Sequence, residues 1–172
     1  EEYEASGISF DQRAKIFWET LDICQSLWNG GPVSHKGEIF EFNDIWCHPI
    51  PPQGSDIPLL FGVKMTESNA QKIAKIGHGW IPIKTSRDFI SEGSEKLNNA
   101  FKEAGRDDRP RIRGQLPTCV DSNGVPSVDL TLKELEKSME AGLEEIEVFP
   151  INFAQSPDHL REVLELIGEL KK

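Results

Sequence analysis

The segment Gly62-Val63-Lys64-Met65-Thr66 has the residue types of an anion-binding turn. It follows a short apolar run and precedes a helix-like pattern, so free backbone N–H groups and the positive end of a helix dipole would meet there. Lys64 adds a charge, Thr66 adds a hydroxyl, and Gly62 lets a ligand come close to the backbone. Thr66 has a second reading as a plain helix N-cap. Lys84, Gln115 and Asn152 follow three further apolar runs. They read either as the lining of a substrate pocket or as exposed loop residues.

Other chemistry finds less support. His35, His48, His78 and His159 share no ligand spacing, so no metal site is expected. His78 reads as a satisfied structural histidine and Arg13 as a structural partner of a carboxylate. Cys24, Cys47 and Cys119 are odd in number and widely spaced, which fits neither a disulfide framework nor zinc. A reducing, cytoplasmic setting is the expectation. The glycines form no G-x-G-x-x-G opening a helix.

A formal net charge of −10 excludes the concentrated basic face that nucleic acid requires. No run of about 18 apolar residues is present, so no membrane span is expected. With 37% hydrophobic and 28% charged residues over 172 positions, the chain can bury a core. The sequence opens on an acidic, polar stretch without Met, which suggests a start inside a longer reading frame.

The elements that must position these residues follow from periodicity. Phe10, Ala14, Phe17, Leu21, Cys24 and Trp28 fall on one helical face over residues 10–28. Ser9 and Gln12 suggest a capping box there, and Asn29-Gly30-Gly31 a stop. Residues 33–42 read as a β-hairpin turning at Lys36-Gly37. Pro49, Pro51 and Pro52 impose an extended connector.

From residue 58 a strand–helix pattern occurs four times. The strands are 58–63, 79–83, 111–116 and 145–150. Their helices start at Thr66, at Ser86, at a capping box of Thr131 and Glu134 with a Leu130–Leu135 staple, and at Ser156-Pro157. The last helix would bury Leu160, Val163, Leu164, Ile167 and Leu170. Four such units mean parallel strands joined by right-handed crossovers, in an α/β fold. Periodicity leaves open a small doubly wound sheet or an arc of a (β/α)8 barrel.

Ordered motifs then carry a resemblance. Glu2 to Arg13 resembles E-[FY]-x-A-x-G-x-x-F-x-x-R, and Glu19 with Leu27-Trp28 follows at matching spacing. His35 to Phe42 resembles a G-x-[FY]-[YF]-x-F hairpin. Pro49-Ile50-Pro51-Pro52-Gln53 and Ile57 to Gly62 look like P-x-P-x-Q and a following strand, and Ala74 to Trp80 like A-x-x-[GA]-D-G-W. Ala104-Gly105-Arg106-Asp107 matches A-G-R-D. Together they resemble the luciferase-like flavin- and deazaflavin-dependent oxidoreductases, a family that includes bacterial luciferase-like monooxygenases.

The resemblance implies a (β/α)8 TIM barrel of which this chain is the C-terminal half. Residues 1–57 would be a helix plus hairpin insertion following the fourth strand, and residues 58–172 strands five to eight with their helices. The implied function is hydride transfer or monooxygenation with FMN or coenzyme F-420. The G-H-G-W and A-G-R-D segments look more like the deazaflavin branch. The turn Gly62, Val63, Lys64, Met65 and Thr66 would touch the cofactor's phosphate or ribityl chain, although Val63 and Lys64 replace the family's glycine pair. Lys84, Gln115 and Asn152 would face a small-molecule substrate. Most proton-transfer residues would lie in the other half, so the catalytic residues are unknown and this chain alone is expected to be inactive. A homo-oligomer is the expected assembly. The alternative is a non-catalytic half-barrel remnant that associates with itself through strand edges and an apolar inner face.

Overall fold

The computed structural model describes residues 2–84, 86–115, 117–154 and 156–169, with backbone alone at 166, 167 and 169. The chain divides into two compact units, Glu1–Ile57 and Pro58–Lys172.

In the first unit a short helix α1 (Glu2–Ala5) and a 3-10 turn (Phe10–Gln12) lead into α2 (Arg13–Trp28). Ser9 makes no side-chain cap; its carbonyl instead accepts the Gln12 N–H. The capping box expected there is absent because a 3-10 turn starts the helix. The apolar stripe is also only partly buried. Phe10 and Phe17 are exposed, while Ile23 is the buried side chain of α2. The face turned inward is that of Ile23 and Glu19, because Glu19 is taken up by the hairpin. Arg13 lies 3.6 Å over the Phe10 ring and donates to the Phe10 carbonyl.

Strands β1 (Val33–Lys36) and β2 (Glu41–Ile45) pair antiparallel, with His35 opposite Phe42 and Lys36 opposite Glu41. The turn is not the expected Lys36-Gly37 pair but four residues, 37–40, closed by the Gly37 N–H to the Phe40 carbonyl at 2.9 Å. The reason lies on α2. The Glu19 carboxylate accepts the N–H groups of Phe40 (2.8 Å) and Ile39 (3.1 Å), and a tighter turn would not present both.

The second unit is built on a parallel sheet ordered β3-β4-β5-β6, namely Leu60–Phe61, Gly79–Trp80, Arg111–Gln115 and Glu145–Glu147. Three strands are shorter than the apolar runs suggested. Pro82 has no N–H for a ladder, and the chain turns into a 3-10 helix at Pro150–Asn152. Helices α3 (Glu67–Ile76), α4 (Arg87–Glu103), α5 (Val128–Glu140) and α6 (Pro157–Glu169) follow the strands in turn. The core comprises Phe61, Ile73, Trp80, Ile90, Leu97, Phe101 and Ile112. A second cluster holds Phe153 and Val163 against Val128, Leu135, Ile146 and Val148.

Helix α5 begins four residues earlier than the Thr131–Glu134 box predicted. Ser127 caps it by accepting the Leu130 N–H. Thr131 is a fully buried interior residue whose hydroxyl accepts the Cys119 N–H at 3.0 Å. Helix α6 does start where expected, with the His159 N–H on the Ser156 hydroxyl. Leu116, Leu170 and the side chain of Ile167 lie outside the described residues.

Alternation sorts the sheet's two faces. Ile112 and Gly114 are buried, and Ile146 packs into the second cluster. Arg111, Arg113, Gln115, Glu145 and Glu147 therefore share the other face. There Glu145 bridges Arg111 and Arg113, the latter at 3.0 Å. The face expected to be apolar is an ion-paired one on these two strands.

Candidate functional site

Parallel pairing puts the C-terminal ends of all four strands on one edge, where ligands of such sheets gather. The turn at residues 62–66 leaves β3 on that edge. Gln115 ends β5, Lys84 follows β4 by four residues, and Asn152 lies in the 3-10 helix after β6. Lys84, Gln115 and Asn152 are all exposed, and none of them is among the residues that line the cleft beside the turn. The predicted residues thus lie along one edge of the sheet.

The turn itself is closely held. Met65 is buried, Val63 half-buried, and Gly62, Lys64 and Thr66 exposed. Thr66 caps α3 by accepting the Asn69 N–H at 3.2 Å, which leaves its own hydroxyl proton free to donate. Two side chains then fix the backbone. The Trp80 indole N–H donates to the Val63 carbonyl at 2.8 Å, and the Asn69 amide to the Lys64 carbonyl at 2.9 Å. A cleft of about 420 Å³ opens beside the turn, lined by Lys64, Thr66, Glu67, Trp80, Phe89 and Lys96 among others. Lys96 pairs with Glu92 at 2.6 Å, and that contact holds Glu92 below the usual carboxylate range and Lys96 above the usual lysine one. Lys64 forms no ion pair with a described residue.

Trp80 and Asn69, the two side chains that fix the turn, are the positions that pattern reading missed. Trp80 belongs to the Gly77-His78-Gly79-Trp80 motif, but an apolar run gives no hint that its indole N–H serves a turn 17 positions earlier. His78 and Arg106, from the same motifs, make contacts within the fold. His78 Nδ1 accepts the Leu59 N–H at 3.1 Å, as a satisfied histidine should. Arg106 stacks 4.0 Å over Phe101 and donates to the carbonyls of Ala74 and Gly77, closing the C-terminal end of α3.

Comparison with known proteins gives the class first. Residues 1–125 match the luciferase-like monooxygenase family, and the chain belongs to it. Among solved structures it resembles an F-420-dependent secondary alcohol dehydrogenase in complex with an F-420-acetone adduct (TM-score 0.66, 17% identity, 81% of this chain and 57% of that one). It also resembles the coenzyme F-420-dependent tetrahydromethanopterin reductase of Methanopyrus kandleri (0.64, 15%, 84% and 59%). A third likeness is to the monooxygenase RslO1 of Streptomyces bottropensis (0.56, 18%, 96% and 54%). These likenesses establish the fold as part of a TIM barrel. In sequence, an uncharacterized protein of Mycobacterium tuberculosis is 35% identical over 107 residues, 62% of this chain and 37% of its own length, and a Mycobacterium bovis protein matches equally. The chain therefore spans well under two thirds of the relatives it matches.

Proposed function

We propose that this chain forms strands five to eight of a luciferase-like oxidoreductase, preceded by a helix–hairpin insertion in residues 1–57, and holds the anionic tail of FMN or F-420. The observation that carries the reading is the turn at residues 62–66. It leaves a parallel strand at its C-terminal end, opens a ten-residue helix, and has its carbonyls at Val63 and Lys64 tied back by side chains. Such a turn offers N–H groups, the Thr66 hydroxyl and the Lys64 ammonium to a phosphate. The cofactor ring would supply hydride transfer or oxygen chemistry, and the protein would position it and exclude water. Lys84, Gln115 and Asn152, on the same edge, are the proposed substrate-facing residues.

Titration of the ¹⁵N-labelled chain with FMN and with F-420 tests the assignment. Binding should shift the amides of residues 62–68, and Lys64→Ala should weaken it up to about fivefold, the range of an exposed charge contact. Binding of neither cofactor sinks the proposal.

A second reading is a self-associating, non-catalytic half-barrel. It is favoured by β3 and β6, each with a strand neighbour on one side only among the described residues, and by the exposed Ile83, Phe149 and Ile151.

A further inference from the structure

We propose that Trp80 is a positioning residue for the anion turn: it orients the peptide between Val63 and Lys64 so that its N–H faces a bound phosphate, with Asn69 doing the same for the next peptide. The inference rests on the reading of residues 62–66 as the cofactor-tail turn.

The argument comes from peptide geometry. In a planar trans peptide the C=O and the N–H point in opposite directions. The Val63 carbonyl accepts from the Trp80 indole N–H at 2.8 Å, and Trp80 is wholly buried. The N–H of Lys64, in the same peptide, is therefore turned away from the core. The Lys64 carbonyl accepts from the Asn69 amide, so the N–H of Met65 is turned away from α3's first turn. Among the described residues, no acceptor takes either N–H. Two consecutive donors are thus set without internal partners, in front of the N-terminus of a helix.

Trp80 can hold this geometry because it is closely packed. Its ring lies on Gly93, where a Cβ would come within 2.2 Å of the indole, and stands 5.7 Å from the Phe89 ring at a tilt of 36°. Only glycine at position 93 leaves room for the indole. Asn69 is anchored at its other end, since its own N–H is held by the Thr66 hydroxyl. Without the two side-chain donors the carbonyls of Val63 and Lys64 are released, and a carbonyl swung toward the cleft would repel a phosphate.

The variants are Trp80→Phe, which keeps an aromatic ring but removes the indole N–H, and Asn69→Ala, which changes a residue outside the core. Each is compared with wild type for affinity toward a tailed cofactor and its phosphate-free ring: FMN against riboflavin, and F-420 against deazariboflavin. The expected result is that either variant lowers the preference for the tailed form by about tenfold or more, the scale of hydrogen bonds to a charged group. Affinity for the bare ring should fall far less than affinity for the tailed form. A merely structural tryptophan would instead weaken tailed and bare ligands alike, which overturns the positioning role. Retention of the tail preference in both variants overturns it as well, while the tail-binding reading stands. If the wild-type chain prefers neither tailed form and inorganic phosphate shifts none of the amides at residues 63–68, both readings fall together.

Discussion

Glu19, in the middle of α2, gathers one arm of the hairpin onto itself. Its carboxylate accepts the N–H groups of Phe40 and Ile39 and meets His35 Nε2 at 3.1 Å. A Cβ on Gly37 would lie 2.0 Å from Glu19 Oε1 and 2.5 Å from His35 Nε2, so the pairing needs glycine at 37 for the space it leaves. Gly37→Ala should therefore eject the carboxylate and cost about 1–3 kcal/mol, as overfilling does elsewhere. Glu19→Gln in the Gly37→Ala background should then cost little more, because both changes break the same contact. Urea unfolding of the two single variants and the double variant measures this coupling; simple additivity would contradict it. The Phe40 N–H foremost, then His35 and the Ile39 N–H, hold the Glu19 carboxyl below its ordinary 4.5. A depressed carboxyl stabilises the fold above its unfolded value, and that contribution is lost as pH falls through the folded value. The hairpin should thus hold at neutral pH and loosen only below about pH 4.5, with the Phe40 amide shift following the titration. A midpoint at or above 4.5 would contradict the geometry.

At the scale of elements, the start of α5 shows where sequence and structure part. Ser127 and Thr131 are both hydroxyl residues ahead of an apolar pattern, and Glu134 gives Thr131 the spacing of a capping box. The structure assigns the cap to Ser127 and buries Thr131, because the Cys119 N–H needs an acceptor inside the fold. Ser127→Ala should cost about 1 kcal/mol, the usual loss of a cap. Thr131→Val keeps the shape but orphans the Cys119 N–H, and should cost about 1–3 kcal/mol. If thermal unfolding shows Thr131→Val to be harmless, the assignment is wrong. The four strand–helix units were legible because buried strands and helix caps are local signals: Thr66 and Ser156 each act as their types suggest. The turn at 62–66 was legible for the same reason. What pulls its carbonyls back was not, since Trp80 reaches it across the sheet. The hairpin turn and the inner face of α2 depend on Glu19 meeting residues 20 positions away, a contact that no local period encodes.

On the scale of the whole molecule, the sheet would set the route of any self-association. The face with Arg111, Arg113 and Glu145 is ion-paired and charged, so it gives little drive for collapse onto another protein. The C-terminal edge differs: Ile83 and Ile151 are 68% and 67% exposed, and Phe149 joins them at 43%. Strands β3 and β6 lie beside this apolar rim, each with a strand neighbour on one side only among the described residues. Self-association should therefore run through the rim and the edges rather than through the charged face. Two variants separate these routes. Ile83→Lys with Ile151→Lys should dissolve the assembly, because burying two new charges is costly. Glu145→Gln should leave it intact, since that change alters only the charged face. Sedimentation velocity at micromolar concentration reads both. A monodisperse monomer for the unaltered chain would end the self-association reading, and an assembly that survives the double lysine change but not Glu145→Gln would move the contact to the face bearing the ion pairs.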